Sequence, residues 1–297
     1  MTEHSTDRIV VGVDESAASD AAIRWAAREA AMRSVALTLL YAINPAEQAW
    51  RVGYARAPLP PAHGELQREE GERVLESARR IAQAAVGSDE QVRIDTEVAV
   101  SVPIPTLIDA TKDAQMIVVG SRGRGAWRRG LFGSVSTALV HHAHCPVAVI
   151  REPADAVGES RGPVVVGIDG SPASELATAV AFDEASWRGA ELVALHAWID
   201  SEPPGLPPLA WPNFQSAAEE TLAERLAGWN DRYPDVVVHR RVVFDQPARH
   251  LLEVAEAAQL LVVGSHGRGG FAGMLLGSVS TTVVHATSTP VIVCRQN

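Results

Sequence analysis

The segment "GSRGRGAWRRGLFGSVS", residues 120–136, recurs at residues 264–280 as "GSHGRGGFAGMLLGSVS". With three preceding residues included, the copies agree at 12 of 20 positions at a constant offset of 144. The match extends to "CPVAVIR" (145–151) and "TPVIVCR" (289–295), and "RIVVGVDES" from Arg8 resembles "PVVVGIDGS" from Pro163. Because this period is far longer than a solenoid repeat, it predicts two tandem copies of one domain.

The chain length agrees with that interpretation, since 297 residues accommodate two domains of ordinary size. Between the copies lies "EPADAVGESRG", residues 152–162, whose proline, glycine, serine and charge are typical of a linker. We therefore expect a first domain over residues 1–152, a linker over 153–162 and a second domain over 163–297.

Short β-branched runs alternate with longer helical patterns in each copy, which predicts βα units. Runs such as "RIVVGV" and "PVAVI" are apolar on both faces, as expected for parallel strands covered on both sides by helices. The sequence thus predicts an α/β fold with two tandem doubly wound domains. In the first half we expect strands near 8–14, 35–42, 91–99, 115–120 and 146–151, and helices near 17–32, 63–86, 104–113 and 134–143.

The charge and the N-terminal residues narrow the range of partners. A net charge of −10 disfavours general binding to nucleic acid or to acidic membranes. The start "MTEHSTDR" is polar, and we find no apolar run of the ~18 residues that a membrane span needs. We expect a cytoplasmic protein whose two cysteines, Cys145 and Cys294, are buried and reduced.

The repeated segment joins a predicted strand end at Gly120 to a predicted helix start at Gly133. Amides at a helix start lack helical partners and lie at the positive end of the helix dipole, so they favour an anion. Ser134 and Ser136 add hydroxyl donors, and Arg124 and its copy Arg268 add charge. The alternative is that the glycines only form a turn and that Ser134 caps the helix.

Other common site motifs do not explain the segment. A P-loop needs a lysine after its last glycine, and the only lysine of the chain is Lys112. The dinucleotide motif G-x-G-x-x-G does not follow the first strand of either copy. The stretch "HHAHC" (141–145) offers zinc-type ligands, but only His141 recurs, and histidines in the last turn of a helix also suit its dipole, so we expect no metal site there.

Both copies carry the pattern G-2x-G-9x-G-S, together with an aspartate after the first strand and a "CPV" or "TPV" final strand. The chain therefore resembles the universal stress protein family in its tandem two-domain form, and specifically its ATP-binding branch. The resemblance covers nearly the whole chain. It implies a parallel five-stranded sheet of order 3-2-1-4-5 in each domain, with ATP at the carboxyl edge where strands one and four are adjacent.

The resemblance also implies which residues contact the nucleotide. The two aspartates would face it, the glycine and serine positions would hold phosphates, and two alanine positions would lie against adenine. With the arginines added, the candidate residues are Asp14, Ala42, Gly120, Gly123, Arg124, Gly133, Ser134, Val135 and Ser136 in the first copy, and Asp169, Ala197, Gly264, Gly267, Arg268, Gly277, Ser278, Val279 and Ser280 in the second.

The two aspartates need a separate explanation, because a carboxylate repels a triphosphate. Asp14 and Asp169 suit a ribose hydroxyl or an intervening Mg²⁺, a cation that prefers oxygen ligands. The alternative is that each caps the first helix, but Ser16 and Ser171 are better placed as caps. We therefore expect both aspartates to remain available for the ligand.

Two classes of function fit these residues. The first is a regulatory ATP-binding protein of the stress response, in which nucleotide occupancy changes conformation or partner binding. The second is a slow ATPase or a phosphoryl or adenylyl transferase on the same scaffold. No base or nucleophile recurs with the glycine motif, so we expect at most weak hydrolysis. The resemblance also allows a homodimer.

Overall fold

The computed structural model describes residues 7–44, 63–87, 91–123, 133–151, 162–198, 211–267 and 276–295. The chain divides into two compact units, Met1–Gly158 and Glu159–Asn297. The expected linker lies outside the described residues except for Gly162, so the domain boundaries given above stay a prediction.

The first unit alternates strands and helices along the chain. Its elements are β1 (Arg8–Val13), α1 (Ala17–Arg33), β2 (Ala36–Ala42), α2 (His63–Ala85), β3 (Ile94–Ala99), α3 (Pro103–Ala110), β4 (Met116–Gly120), α4 (Ser134–His142) and β5 (Val147–Ile150). The strands lie in the order β3-β2-β1-β4-β5, and each described pair is parallel.

The second unit repeats this arrangement. Its elements are β6 (Val164–Gly167), α5 (Pro172–Arg188), β7 (Leu192–Ala197), α6 (Trp211–Arg225), the short α7 (Trp229–Arg232), β8 (Val238–Val243), α8 (Pro247–Ala255), β9 (Leu260–Gly264), α9 (Ser278–Ala286) and β10 (Val291–Cys294). The strand order is β8-β7-β6-β9-β10, with parallel pairs again. The predicted order 3-2-1-4-5 is therefore confirmed in both units.

Helix α1 shows how local sequence determines the elements. Ser16 caps its start by accepting a hydrogen bond at Oγ from the amide of Ser19 at 3.1 Å. The helix ends where Ser34 adopts a left-handed conformation and donates its amide back to the last turn. Alanines dominate its buried face, so the helix backbone can approach the sheet closely. In α5, Ser171 is the cap and Pro172 takes the first helical position, as predicted.

The central strands form the core because apolar side chains cover both of their faces. β4 is buried from Met116 to Val119, and all residues of β5 and β10 are buried. The strand predictions agree with the structure to within about three residues at each end. The helix expected over 104–113 is instead α3 followed by a 3-10 turn, Thr111–Asp113, where the Thr111 hydroxyl donates to the carbonyl of Ile108. Among the described helices, none has the length and apolar character needed to cross a membrane.

Candidate functional site

The candidate site lies at the carboxyl ends of two neighbouring strands, β1 and β4 in the first unit and β6 and β9 in the second. The chain continues from β1 into α1 and from β4 towards α4. Helices α1 and α2 contact each other, and α3 and α4 form a second contacting pair. The chain therefore diverges from adjacent strands at this edge, where doubly wound sheets bind ligands.

Each aspartate closes a tight turn between the first strand and the first helix. In the first unit, Asp14 Oδ1 accepts from the Ser16 amide at 3.1 Å and from its hydroxyl at 2.6 Å. Glu15, between them, has φ of 60°. The expected capping role of Ser16 is confirmed, but the expectation that Asp14 stays wholly available is wrong, because the turn engages Oδ1.

The second unit builds the same turn with small changes. Asp169 Oδ1 accepts from the Ser171 amide at 2.9 Å, and the intervening residue is Gly170, with φ of 75°. The Ser171 hydroxyl donates to the carbonyl of His266 at 2.9 Å, just as the Ser16 hydroxyl donates to the carbonyl of Arg122 at 3.2 Å. One oxygen of Asp169 is therefore also engaged by the turn.

The second oxygen of each aspartate lies against a glycine of the repeated motif. A Cβ built on Gly123 would collide with Asp14 Oδ2, and one on Gly267 would lie 2.6 Å from Asp169 Oδ2. The backbone after β4 thus passes directly over the carboxylate of the first strand. Only glycine permits this approach without moving the carboxylate.

The starts of α4 and α9 are capped by glycines. Gly133 is the cap of α4, without a side-chain hydrogen bond, so the alternative that Ser134 caps this helix is wrong. The amide of Gly133 donates to the carbonyl of Ser121 at 2.9 Å, and that of Gly277 to Ser265 at 2.7 Å. The prediction that the Gly133 amide points at an anion is therefore corrected, because the loop already uses it.

The first-turn amides that follow keep their predicted position. The amide of Thr137 makes the first helical hydrogen bond, to the carbonyl of Gly133 at 3.0 Å. The amides of residues 134–136 therefore point out of the helix start, as do those of 278–280, because a helix offers them no acceptor. Ser134 and Ser278 are exposed beside them.

The hydroxyls of the third helical residues serve a different purpose. Ser136 is 1% exposed, and its Oγ lies 3.0 Å from the carbonyl oxygen of Gly133 and 3.3 Å from that of Ser121. Ser280 Oγ donates to the carbonyl of Gly264 at 2.6 Å. These hydroxyls tie the helix start to the loop after β4 or β9, which corrects their expected role as ligand donors.

The first glycine of each motif has a packing role. A Cβ on Gly120 would lie 2.8 Å from the carbonyl carbon of Ala18, and one on Gly264 would lie 2.8 Å from the backbone of Ala173. The helix that follows the first strand therefore rests directly on the end of β4 or β9. This contact requires glycine whether or not a ligand binds.

Ala42 and Ala197 lie at the carboxyl ends of β2 and β7, and both are partly exposed. Arg124 and Arg268 lie outside the described residues. Positive charge is still present nearby in the first unit, because Arg151 follows β5. Burial, and secondarily the positive charge of Arg122, lower the pKa of Arg151.

Within the described part of the chain, no group of three or more histidine, cysteine or acidic residues is arranged to hold a metal ion. His141 and His142 lie in the last turn of α4, and their rings are 6.2 Å apart. Cys145 and Cys294 are buried and form no disulfide.

Sequence reasoning missed one pair of site residues. Ser19 accepts from the Asp14 amide at 3.2 Å, and Ser174 accepts from the Asp169 amide at 3.1 Å. Both serines are almost fully buried. The signal was visible in "DESAAS" and "DGSPAS", where the spacing D-x-S-x-x-S recurs.

These residues define a class of protein: a tandem α/β protein in which each parallel sheet carries an aspartate turn facing a glycine-lined helix start. The model of the universal stress protein family matches residues 5–151 and again residues 161–295. The chain therefore belongs to the universal stress protein family, in its tandem two-domain form.

Curated relatives extend over nearly the whole chain. Universal stress protein Rv2005c of Mycobacterium tuberculosis is 53% identical over 97% of both chains. Universal stress protein Rv2623 of the same organism is 48% identical over 97% of this chain and 96% of its own. The crystal structure of a universal stress protein from Archaeoglobus fulgidus is 21% identical with a TM-score of 0.70, covering 99% of this chain and 98% of its own, which supports the fold.

Proposed function

We propose that each unit binds one ATP and that the protein is a regulatory component of the stress response. The observation that carries the proposal is the repeated geometry of the two crevices. In both, a glycine presses the loop after the fourth strand onto the aspartate carboxylate, and a glycine cap presents the amides of the next helix. A crevice with amides on one side and a carboxylate on the other suits a polyphosphate that carries a cation.

The amides of residues 134–136 and 278–280 would hold phosphate oxygens, since they point out of the helix start with the positive end of its dipole. The exposed hydroxyls of Ser134 and Ser278 would add donors. The backbone at Ala42 and Ala197 would lie against the base. The guanidinium groups of Arg124 and Arg268 would place positive charge beside the phosphates.

The aspartates fit Mg²⁺ because a carboxylate oxygen is the ligand that this cation prefers. Asp14 Oδ1 is held by the Ser16 amide, which fixes the orientation of the carboxylate. Asp14 and Asp169 would thus hold the Mg²⁺ that accompanies ATP, or a ribose hydroxyl. When bound, Mg²⁺ would neutralise phosphate charge beside the carboxylate.

The regulatory role follows from the kind of donors in the crevice. Amides, hydroxyls and a fixed carboxylate bind and orient a nucleotide, whereas hydrolysis also needs a base that activates water. Nucleotide occupancy would change the conformation of the protein or its binding to a partner. We place this activity in the cytoplasm, where reduced thiols such as those of Cys145 and Cys294 persist.

The binding test is titration calorimetry of the full chain with Mg·ATP. Wild type is expected to bind two ATP per chain. Gly123→Leu and Gly267→Leu should each remove one site, because the new side chain displaces the aspartate carboxylate, and the double variant should bind none. Gly64→Ala is the matched control, because a Cβ at Gly64 meets nothing within 4 Å. Absence of binding heat in wild type would contradict the proposal.

Two further measurements distinguish a nucleotide-binding protein from an enzyme. Mass spectrometry of ligand released from freshly purified protein should find ATP in a ratio approaching two per chain. Steady-state phosphate release should stay far below the ~1 to 10³ per second of ordinary enzymes. A rate within that range, abolished by Asp14→Ala, would replace the regulatory role with a catalytic one.

A further inference from the structure

The carboxyl edge of the second unit carries an aromatic pair at two positions where the first unit has aliphatic residues. Trp198 follows β7, Phe244 follows β8, and their ring centroids are 5.3 Å apart at an angle of 57°. The amide of Trp198 donates to the carbonyl of Val243 at 3.2 Å, which ties the two strand ends together. Phe244 is 40% exposed, so the pair presents aromatic surface to its surroundings at this edge.

The equivalent positions of the first unit hold aliphatic residues. The amide of Ile43 donates to the carbonyl of Ala99, just as the amide of Trp198 donates to that of Val243. Ile43 is only 3% exposed, and the residue after β3 is Val100. The backbone frame is therefore the same in the two units, and the side chains at its outer end differ.

The backbone after Phe244 also departs from that of the first unit. Asp245 and Gln246 have φ of 49° and 46°, so two consecutive non-glycine residues are left-handed. At the equivalent turn Val102 has φ of −63°. Left-handed residues other than glycine cost roughly 1–2 kcal/mol each, and such strain often accompanies a binding function. Here the strained turn fixes the chain directly beside the Phe244 ring.

The order of the strands places this pair relative to the proposed nucleotide. Across the carboxyl edge, the helix start after β9 comes first, then Asp169 after β6, then Ala197 and Trp198 after β7, and finally Phe244 after β8. Neighbouring strands are ~4.8 Å apart, so two strand spacings separate the phosphate end from Trp198. A nucleotide whose phosphates lie at the start of α9 extends its base towards this pair.

We propose that the Trp198–Phe244 pair stacks on the nucleobase in the second unit, so that this unit adds an aromatic contact to the backbone contact with the base, whereas the first unit has no aromatic side chain at these positions. The inference rests on the proposed function, because it assumes that the phosphates lie at the start of α9. An aromatic ring supplies a flat apolar face that any base can stack on. The second crevice consequently binds a purine nucleoside without its phosphates more tightly than the first crevice does.

The test uses the full chain with Gly123→Leu, which closes the first crevice, so that the heat of binding reports the second unit. The probes are Mg·ATP, adenosine and inorganic triphosphate. The double variant Trp198→Ile/Phe244→Val copies the aliphatic character of the first unit. It should weaken Mg·ATP and adenosine by about tenfold and leave inorganic triphosphate unchanged, because one lost stacking contact acts on the base alone.

Two further variants serve as matched comparisons. Trp187→Leu removes a 43% exposed tryptophan at the far end of α5 and should leave all three affinities unchanged. Trp198→Phe keeps an aromatic face and should retain most of the adenosine affinity. If Trp198→Phe loses as much as the double variant, or if triphosphate weakens in parallel with adenosine, the stacking role is overturned.

The possible failures can be distinguished. Absence of Mg·ATP binding in the otherwise wild-type chain overturns the proposed function and this inference together. Tight Mg·ATP binding that the double variant changes by less than twofold overturns the inference and leaves the proposed function intact.

Discussion

The two units share the backbone of the crevice between the first and fourth strands and differ at the carboxyl ends of the second and third strands. Both hold the aspartate turn, the glycine that passes over the carboxylate and the glycine-capped helix. They diverge at the carboxyl ends of the second and third strands, where Ile43 and Val100 of the first unit correspond to Trp198 and Phe244 of the second. They diverge also in the loop sequence, where four arginines at 122–129 correspond to a single one, Arg268.

The contacts that shape each crevice recur in both units, whereas the side chains at the neighbouring strand ends differ. The hydrogen bond from the Gly133 amide to the carbonyl of Ser121, for example, recurs as that from the Gly277 amide to the carbonyl of Ser265. A side chain at a strand end changes without disturbing those contacts.

The largest expected effect is on the reactivity of the Cys145 thiol, which has no counterpart at the equivalent position of the second unit. Cys145 stands before β5 where the second unit has Thr289. Burial raises the pKa of Cys145 to about 12, from an ordinary value near 9.0. The native thiolate is therefore about a thousandfold rarer than that of an exposed cysteine at the same pH. In a Cys294→Val background, iodoacetamide at pH 8 should label Cys145 only after unfolding in urea.

The same shift gives a pH dependence with a definite sign. Because the folded pKa lies above the unfolded one, the folded state binds the proton more tightly between pH 9 and pH 12. The contribution of Cys145 to stability is thus complete below pH 9 and is lost as the pH rises towards 12. Rapid labelling of the native protein at pH 8 would show that the thiol is not buried as described.

A buried ion pair recurs in the first helix of each unit. Arg33 Nε lies 2.6 Å from Glu29 Oε1 in α1, and Arg188 Nη2 lies 2.9 Å from Glu184 Oε2 in α5. Both glutamate side chains are 0% exposed. Arg33→Met and Arg188→Met should each destabilise their unit by roughly 3–5 kcal/mol in urea unfolding, because a carboxylate stays buried without its guanidinium.

The control for that pair has the same spacing on the surface. Arg249 and Glu253 are also four residues apart in α8, but both side chains are more than half exposed. Arg249→Met should therefore change the urea midpoint little. An effect of Arg33→Met as small as that of Arg249→Met would mean that the pair of α1 is hydrated in solution.

In both units the first helix packs closely on the end of the fourth strand, at Gly120 and Gly264. Gly120→Val and Gly264→Val should destabilise the units by roughly 1–3 kcal/mol, because the new Cβ meets helix backbone that cannot move aside as a side chain would. In both, the nearest backbone atom is 2.8 Å from the Cβ position, so the two losses should be similar. Urea unfolding measures them, with Gly64→Ala as the unobstructed comparison. Clearly unequal losses would show that the two frames are not equivalent.

Much of this frame could be predicted from the sequence. The strands were recognisable because runs such as "MIVVG" are apolar on both faces, and the helix starts because Ser16 and Ser171 precede alanine-rich stretches. The equivalence of the two crevices followed from the repeat itself. The strand and helix signals are local, because the residues that carry them are neighbours in the chain.

The use of particular site atoms could not be predicted in the same way. The amide of Gly133 and the hydroxyl of Ser136 are engaged by Ser121, which the fold brings back from the end of β4. Likewise, Trp198 and Phe244 meet only because β7 and β8 end side by side. A sequence shows which hydrogen-bond donors exist. Only the folded structure shows whether a donor is used within the protein or is available to a ligand.

The smallest expected effect concerns the middle residue of the aspartate turn. That residue is left-handed in both units, with φ of 60° at Glu15 and 75° at Gly170. Gly170→Ala should therefore destabilise the second unit by about 1 kcal/mol, because a Cβ is strained in this conformation. Glu15→Gly should stabilise the first unit by only a few tenths of a kcal/mol. The strain at Glu15 is relieved, but the greater conformational entropy of glycine in the unfolded chain offsets ~0.5–1 kcal/mol of that gain. Opposite signs in urea unfolding support one shared turn geometry, whereas destabilisation by both changes would mean that the first unit holds Glu15 through its side chain.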